Sequence, residues 1–134
     1  TNLFTGEKNT FGKARVVDGD TIVIKEEKIR FGGINSPERK EVGYQLAKNK
    51  LVKKISNQVV TCVREKNKDK YQRTVAECFV NGESLSKFLV RSGYAFAYRK
   101  YSTKFVKDED FAKINKLGMW SMTFQYPWDF RKGL

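Results

Sequence analysis

The sequence predicts an α+β fold in which five short strands form a small closed barrel decorated with helices. Two observations support this: runs of β-branched and apolar residues bounded by Asp, Gly, Asn or Pro, and segments of helical periodicity after the third and fifth runs. The strand-like runs are residues 14–17, 21–24, 29–31, 58–64 and 74–80. A charged loop, residues 65–73, separates the last two runs.

Residues 41–55 predict an amphipathic helix, because apolar side chains recur at helical spacing and lysines occupy other positions. The apolar positions are Tyr44, Ala47, Leu51 and Ile55. Gly43 interrupts the pattern near its start. The lysines fit a solvated face better than a binding surface, which is the alternative interpretation.

Two further helices are predicted after the fifth strand. Ser84 can cap the first, which ends at Gly93, and Asp108 can cap the second, which ends at Gly118. The apolar positions are Leu85, Phe88 and Leu89 in the first helix and Phe111, Ile114 and Leu117 in the second.

The length of 134 residues, with 40% hydrophobic and 13% aromatic residues, indicates one globular domain. We expect its core to extend from about residue 11 to residue 121. The C-terminal tail, residues 122–134, is too aromatic for a solvated linker, so we expect it to pack against the rest of the domain.

The net charge of +12 is the most informative feature of the composition, because so large an excess on a small surface attracts polyanions. Nucleic acid is therefore the expected partner, and the chain is expected to act as a monomer. A membrane surface is the less favoured alternative. The lysines are spread along the chain, and no apolar run approaches the length that spans a bilayer.

The chain contains no histidine, which excludes histidine general bases, Ser-His and Cys-His nucleophile pairs, and most zinc sites. Cys62 and Cys78 have neither zinc-ligand nor redox spacing. They lie in successive predicted strands at similar distances from Lys70, so a disulfide is one interpretation and two small buried thiols is the other.

Residues 16–38 contain the strongest candidates for chemistry. The turn Asp18-Gly19-Asp20 needs glycine for its backbone, but it carries more acid than a tight bend requires. Asp20, with help from Asp18 and the carbonyl groups of Asn35 and Ser36, could hold a hard cation such as Ca²⁺. The alternative is that both aspartates only form the turn.

Phosphodiester cleavage needs neutralisation of the phosphate and an activated, oriented water. Arg30 and Arg73 are candidates for the first task, because a guanidinium matches phosphate geometry and stays charged. Glu38 is the candidate base. The alternatives are an outward-facing Arg30 and a Glu38 that only occupies the first turn of a short helix.

Four segments occur in order and resemble the staphylococcal nuclease, or thermonuclease, family from about Phe11 to Ser121. They are VVDGDT, IRFGGINSPE, DKYQRTVAECFVNGESLSKFLVRSGYA and GMWS. The resemblance implies an OB-fold, a five-stranded Greek-key barrel, here with about three helices. It also implies hydrolysis of DNA and RNA, with single strands preferred and 3′-phosphorylated products, and Ca²⁺ as the cofactor.

The resemblance implies roles for individual residues. Arg30 and Arg73 match the family's two phosphate-binding arginines, and Glu38 matches the glutamate that acts as general base or orients water. Asp20 matches a calcium ligand, with Asp18 close behind it.

The resemblance also implies substrate contacts outside this central group. Lys70 and Tyr71 match a lysine and a tyrosine that contact a substrate phosphate. Tyr98 or Tyr101 lies where the family places tyrosines around the nucleotide base.

Two positions depart from the family pattern. Asn35 replaces the usual second acidic calcium ligand, and Gln72 replaces a glycine of the arginine loop. Asn35 puts the metal affinity in question. Gln72 is expected to alter the loop backbone, because glycine tolerates conformations that glutamine does not.

Two rival functions are an OB-fold module that binds nucleic acid with weak or lost catalysis, and a protein-interaction domain. The retained Arg30, Glu38 and Arg73 favour the nuclease. Steep salt dependence of binding would separate nucleic acid from protein partners. A Cys62–Cys78 disulfide would suit a secreted or periplasmic enzyme, whose targeting peptide we expect outside this sequence.

Overall fold

The computed structural model describes residues 9–66, 68–122 and 126–133. Within these ranges the chain forms nine strands and four α-helices. The strands are β1 (Asn9–Gly12), β2 (Ala14–Asp18), β3 (Thr21–Ile24), β4 (Glu27–Phe31), β5 (Ile34–Asn35), β6 (Val60–Arg64), β7 (Thr74–Val80), β8 (Glu83–Ser84) and β9 (Phe96–Ala97). The helices are α1 (Tyr44–Ile55), α2 (Leu85–Arg91), α3 (Val106–Ile114) and α4 (Pro127–Arg131), with a 3₁₀ helix at Gly118–Ser121.

The main sheet has the strand order β1-β6-β7-β4-β3-β2, with β8 added beside β7. The strand β4 runs parallel to β7, and the other pairs in this sheet are antiparallel. Strands β5 and β9 form a separate two-stranded sheet. The predicted α+β class is confirmed, and each of the five predicted strand regions contributes to the main sheet.

The prediction of a closed barrel is wrong, because the sheet is not closed by hydrogen bonds among the described residues. Its two edges, β1 and β2, are consecutive segments separated by Lys13. The first pairs with β6 and the second with β3. The two edges are thus consecutive parts of one stretch of chain, and no β1–β2 pairing closes the ladder among the described residues. The arrangement is otherwise consistent with an OB-like fold.

The predicted amphipathic helix is confirmed as α1. It starts one residue after Gly43, whose φ of 96° favours glycine. Ala47, Leu51 and Ile55 are buried against the sheet, as the spacing predicted. Their neighbours in the core are mostly aliphatic residues of the strands: Ile22, Ile24, Ile29, Phe31, Val60 and Val80.

The predicted helix after β8 is confirmed as α2. The hydroxyl of Ser84 accepts a hydrogen bond from the backbone N–H of Lys87 at 3.2 Å, as expected of an N-cap. The helix ends at Arg91, two residues before Gly93. A Cβ atom at Gly93 would lie 2.2 Å from the carbonyl oxygen of Leu117, so this crossing of two chain segments requires glycine.

The predicted apolar face of α3 is wrong. Ile114 is 79% exposed and Phe111 is 39% exposed, whereas Asp108 and Glu109 are buried. Nor is Asp108 the N-cap, since the helix begins at Val106. The buried acids have partners that apolar side chains could not replace: Glu109 accepts a 2.9 Å hydrogen bond from the backbone N–H of Ala97, and Asp108 lies 3.5 Å from Arg91.

A disulfide joins Cys62 to Cys78, which face each other across the β6–β7 pair. Both residues are fully buried. The structure therefore supports the disulfide interpretation over two free thiols. The bridge closes the hairpin whose loop contains Lys70 and Arg73.

The predicted packing of the C-terminal tail against the domain is confirmed for its described part. The Trp128 ring of α4 lies parallel to the Tyr126 and Tyr98 rings, with centroids 4.8 Å and 6.1 Å away. The Phe96 ring meets Trp120 edge to face at 5.5 Å. Residues 123–125 and 134 of the predicted tail lie outside the described residues. None of the described helices has the length and apolar character needed to cross a bilayer.

Candidate active site

The acidic turn between β2 and β3 packs directly on the turn that follows β5. Gly19 is buried, and a Cβ atom there would lie 2.9 Å from the Cβ of Ser36. The Oδ2 atom of Asp20 accepts a hydrogen bond from the backbone N–H of Ser36 at 3.0 Å, and its Oδ1 accepts from the Thr21 hydroxyl at 3.0 Å. The structure therefore brings together Asp20 and the 35–36 turn, as the sequence predicted.

Arg30 turns back over this acidic site. Its Nη2 donates to the carbonyl oxygen of Ile34 at 3.0 Å and to Oδ1 of Asn35 at 2.9 Å. Its Nη1 donates to the Phe31 carbonyl at 2.7 Å and lies 3.5 Å from Oδ2 of Asp20. The side chain is 15% exposed, so the alternative of an outward-facing arginine is wrong.

Asn35 is 3% exposed, and Arg30 occupies its side-chain oxygen. Its Nδ2 atom is buried and has no hydrogen-bond partner in the described part of the chain. An aspartate in the same rotamer would place a second oxygen where this nitrogen lies. The amide therefore offers a cation one oxygen, which already accepts a hydrogen bond from Arg30, where an aspartate would offer two.

Asp18 is hydrogen-bonded to Tyr44, a residue of α1. Its Oδ1 accepts a hydrogen bond from the Tyr44 hydroxyl at 2.6 Å. This hydrogen bond, together with burial, raises the pKa of Tyr44 above its ordinary value. The sequence places Tyr44 only on the apolar face of the helix, because an aromatic residue at helical spacing gives no sign of its hydroxyl contact.

The donor types at this turn suit a hard cation such as Ca²⁺, which prefers carboxylate, carbonyl and hydroxyl oxygens. Asp20 and Asp18 supply two carboxylates, and Ser36 and the amide of Asn35 supply neutral oxygens. Among the described residues, no group of three or more acidic or thiol side chains is arranged to hold a metal ion. The residues therefore fit a cation held with low ligand charge.

Glu38 follows the buried Pro37 and lies in a turn, not in the short helix considered as an alternative. Its backbone N–H donates to Oε1 of Glu41 at 2.6 Å, and its carbonyl accepts from the Glu41 N–H at 2.8 Å. Its Oε1 accepts from Nη1 of Arg131 at 2.5 Å. Burial, reinforced by the Glu38 charge, raises the pKa of Glu41, although the hydrogen bond to Glu38 and the charge of Arg131 oppose the shift.

Arg73 is positioned by Asp69 at the entrance to β7. The Nε atom of Arg73 donates to Oδ2 of Asp69 at 2.7 Å, and its backbone N–H donates to Oδ1 at 2.9 Å. Burial acts to raise the pKa of Asp69, but these hydrogen bonds outweigh it and the pKa lies below its ordinary value. Gln72, which lies between Asp69 and Arg73 in the sequence, has φ 63°. Its family counterpart is glycine, which adopts this left-handed conformation without strain.

The same loop displays two of the predicted substrate-binding residues. Tyr71 is 66% exposed, and Lys70 is also exposed. The Nζ atom of Lys70 lies 5.2 Å from the centre of the Tyr71 ring, and the Arg73 guanidinium carbon lies 5.1 Å from it. The loop therefore presents one aromatic ring flanked by two cations.

Tyr98 and Tyr101 have different surroundings. Tyr98 belongs to the aromatic stack with Trp128. Tyr101 donates a hydrogen bond to Glu65, and burial together with that bond raises its pKa to about 12, opposed by the charge of Arg30. Tyr101 is thus within electrostatic reach of Arg30, whereas Tyr98 lies on the side of α4.

Direct contacts unite Asp20, Arg30, Asn35 and Ser36. In the described part of the chain, Glu38 and Arg73 form their ion pairs with Arg131 and Asp69 instead. Neither partner is predicted from the sequence. A sequence feature does point to Asp69, because an Asp can accept hydrogen bonds from the backbone N–H groups of the residues after it. No sequence feature points to Arg131 as a partner of Glu38.

Comparisons with known proteins identify the family to which the chain belongs. Residues 28–122 match the family model described as Staphylococcal nuclease homologue. The chain is 30% identical over 122 residues to an uncharacterized endonuclease of Haemophilus influenzae, covering 86% of this chain and 68% of that protein. It is 28% identical over 116 residues to the Staphylococcal-like nuclease CAN1 of Arabidopsis thaliana, covering 84% of this chain but only 36% of that protein.

A third relative is the SPbeta prophage-derived endonuclease YokF of Bacillus subtilis, 32% identical over 125 residues. The match covers 80% of this chain and 42% of that protein. The segment matched by the family model contains Arg30, Glu38 and Arg73, but neither Asp20 nor α4.

Proposed function

The chain belongs to the staphylococcal nuclease family, and we propose that it is a metal-dependent endonuclease that hydrolyses phosphodiesters of DNA and RNA. The observation that carries the proposal is the setting of Arg30. Its guanidinium is bound by neutral acceptors and lies 3.5 Å from one carboxylate, so its charge is only partly compensated. A fixed cation of this kind is suited to bind a phosphate.

Two guanidinium groups would stabilise the charge that develops on the phosphorus oxygens. Arg30 is held rigidly by backbone carbonyls, so it needs little reorganisation during the reaction. Arg73 uses its Nε on Asp69, and its side chain is 37% exposed. Its terminal nitrogens therefore remain available for a phosphate oxygen.

Glu38 is proposed to orient and deprotonate the attacking water. Its turn fixes the backbone through two hydrogen bonds with Glu41, and its carboxylate is partly exposed. One carboxylate oxygen accepts from Arg131, which leaves Oε2 for water. A carboxylate is the expected base because the chain has no histidine.

We propose Ca²⁺ as the cofactor, held by Asp20 and Asp18 with oxygens of Ser36 and Asn35. When bound, such a cation supplies positive charge to a phosphoryl oxygen. The protein's part is to keep Asp20 in place through the Ser36 and Thr21 hydrogen bonds. The neutral amide of Asn35 supports a low affinity, because calcium affinity depends on the ligand charge.

The exposed Tyr71 between Lys70 and Arg73 supports a preference for single strands, because an unstacked base can add its face to an exposed ring. From the family resemblance we also propose that the products have 3′-phosphate ends and that the chain acts as a monomer. The buried disulfide supports export to an oxidising compartment, either the periplasm or the outside of the cell.

A binding module without turnover is the second candidate, and the orphaned amide of Asn35 is the observation that favours it. Digestion of single-stranded DNA in Ca²⁺, in Mg²⁺ and in EDTA separates the two. The nuclease proposal expects cleavage in Ca²⁺, none in EDTA, and none from Glu38→Ala purified in parallel, which controls for contamination.

Glu38→Gln separates the nuclease from the binding module in a second way, because it keeps the shape of the side chain and removes the base. The variant is expected to retain DNA affinity and to lose most of its cleavage rate. Binding without any cleavage by the wild type in Ca²⁺ or Mg²⁺ would establish the binding module.

A further inference from the structure

A groove of about 600 Å³ lies between α4, α3 and the loop that carries Lys70. Tyr98 and Trp128 line it together with cations that include Lys70, Lys113, Arg131 and Lys132, and we call it the α4 groove. The groove is of the size that holds small organic ligands. Its α4 wall lies beyond the segment matched by the family model, which ends at residue 122.

The α4 groove carries a large excess of positive charge. Six Lys and Arg side chains line it, against one carboxylate, that of Glu109. Glu109 is buried and already accepts hydrogen bonds from the Ala97 N–H and from Arg99. Lys113 and Lys132 form no ion pair with any described residue, and the Nζ atom of Lys113 lies 5.2 Å from the centre of the Trp120 ring. Neither charge is neutralised by a carboxylate, so both can attract an anionic ligand.

The groove also contains a stack of aromatic rings. The planes of Tyr126 and Trp128 are 14° apart, and those of Trp128 and Tyr98 are 18° apart. The Phe96 ring supports the stack edge-on, 6.4 Å from Trp128. Parallel rings beside free cations form the combination that binds single-stranded nucleic acid, whose bases stack while its phosphates meet the cations.

Arg131 connects the groove to the proposed catalytic carboxylate. It lines the groove and donates to Oε1 of Glu38 at 2.5 Å. The two residues are 93 positions apart in the sequence, and their contact shows that α4 packs close to the proposed catalytic carboxylate. The groove therefore adjoins the proposed catalytic carboxylate.

We propose that the α4 groove is a further nucleotide subsite, which binds the substrate strand next to the scissile bond. This inference rests on the proposed function. In the α4 groove a base adds to the Trp128 stack, and Lys113 and Lys132 contact flanking phosphates. This assigns to α4 a role in binding single-stranded nucleic acid that is separate from the chemistry at Arg30 and Glu38.

The first test removes charge from the groove. Lys113→Ala/Lys132→Ala is compared with Lys107→Ala/Lys116→Ala, which removes the same charge from exposed positions outside the groove. Binding of octathymidylate is measured in EDTA at several salt concentrations. The groove variant should lose about ten-fold in affinity, and its salt slope should fall by about 1.4, the value for two single-strand phosphate contacts. The control variant should change little.

Cleavage of a thymidine dinucleotide by the same proteins keeps this test distinct from the nuclease proposal. The dinucleotide has one phosphodiester and no flanking phosphate, so the Lys107→Ala/Lys116→Ala control should cleave it at the wild-type rate. No turnover by the wild type would contradict the proposed function. Wild-type turnover together with equal octathymidylate affinity for the two double variants would overturn the α4 subsite alone.

The second test detects stacking directly. The chain has two tryptophans, and Trp120→Phe leaves Trp128 as the only one. Octathymidylate should quench its fluorescence, whereas an abasic oligonucleotide of equal length should bind without equivalent quenching. A thermal melt establishes that the variant is folded. Equal quenching by both ligands, or quenching by neither, would overturn the assignment of Trp128 to a base subsite.

Discussion

Arg30 and Asn35 share a single hydrogen bond, from Nη2 to Oδ1 at 2.9 Å, and this bond leaves the other side-chain atom of Asn35 buried without a partner in the described part of the chain. The relationship links the arginine that is proposed to bind phosphate to the proposed metal site. With a carboxylate at residue 35, one oxygen could stay on Arg30 while the other faced a cation. With an amide, the atom left over is a donor.

Asn35→Asp should therefore increase the affinity for Ca²⁺ and lower the Ca²⁺ concentration needed for half-maximal cleavage. The added negative charge raises the ligand charge of the site. In the wild type we expect weak Ca²⁺ binding that tightens when a nucleotide bisphosphate supplies phosphate oxygens, as reciprocal linkage requires. Calorimetry of both proteins, with and without nucleotide, measures these effects. Equal Ca²⁺ affinity in the two proteins would show that residue 35 does not face the metal.

Gln72→Gly should stabilise the protein, because Gln72 has φ 63°. The left-handed conformation costs an L-residue about 1–2 kcal/mol, and the greater chain entropy of glycine offsets part of the gain. We expect a net increase of about 0.5–1 kcal/mol in the free energy of unfolding, measured by urea denaturation. Gln45→Gly is the matched control. The same substitution in the exposed face of α1 should destabilise by about 1 kcal/mol. A loss of stability in Gln72→Gly would contradict the assigned backbone conformation.

The stability of the wild type should fall between about pH 10 and pH 12 through Tyr101. Burial and the bond to Glu65 raise the pKa of Tyr101 to about 12 from its ordinary value of 10.0. The contribution of Tyr101 to stability is complete below the pKa that it has in the unfolded state. It is lost as the pH rises through the pKa that it has in the folded state. Tyr101→Phe removes this ionisation, so its melting temperature should fall less steeply over that range. Thermal melts of both proteins at pH 9 to 11 measure the difference, and parallel curves would refute it.

The Cys62–Cys78 bridge predicts that the unfolded, unreduced protein contains no free thiol. Cys62→Ala/Cys78→Ala should be less stable by about 2–4 kcal/mol, because the cross-link restricts the unfolded chain. Thiol titration in denaturant tests the bridge, and chemical denaturation of the variant tests its energetic effect. Two titratable thiols would remove the bridge and, with it, the main argument for export.

Much of the candidate site could be predicted because its parts are local. Asp20, Arg30 and the 35–36 turn lie on adjoining strands and turns, within 17 positions of one another in the sequence. The Cys62–Cys78 pairing was accessible for the same reason, since the two strands form a hairpin. In both cases, strand alternation and turn residues indicate which side chains meet.

Long-range contacts could not be predicted in the same way. In α3 the apolar spacing pointed to Phe111 and Ile114, but a backbone N–H of β9 needed the carboxylate of Glu109, and this requirement fixed which face is buried. The pair of Arg131 with Glu38 joins segments 93 positions apart. No local pattern encodes such a contact, because it depends on how α4 packs on the folded domain.

The most direct test of the central claim is single-turnover cleavage of single-stranded DNA by arginine variants. Arg30→Ala and Arg73→Ala each remove a charged donor proposed to contact the phosphate. Arg15→Ala removes the same charge from an exposed position on β2. We predict losses on the order of 10²-fold or more for the first two and little change for Arg15→Ala, with thermal melts establishing that each variant is folded. Wild-type cleavage rates in folded Arg30→Ala or Arg73→Ala would contradict the assignment of this site as the nuclease active site.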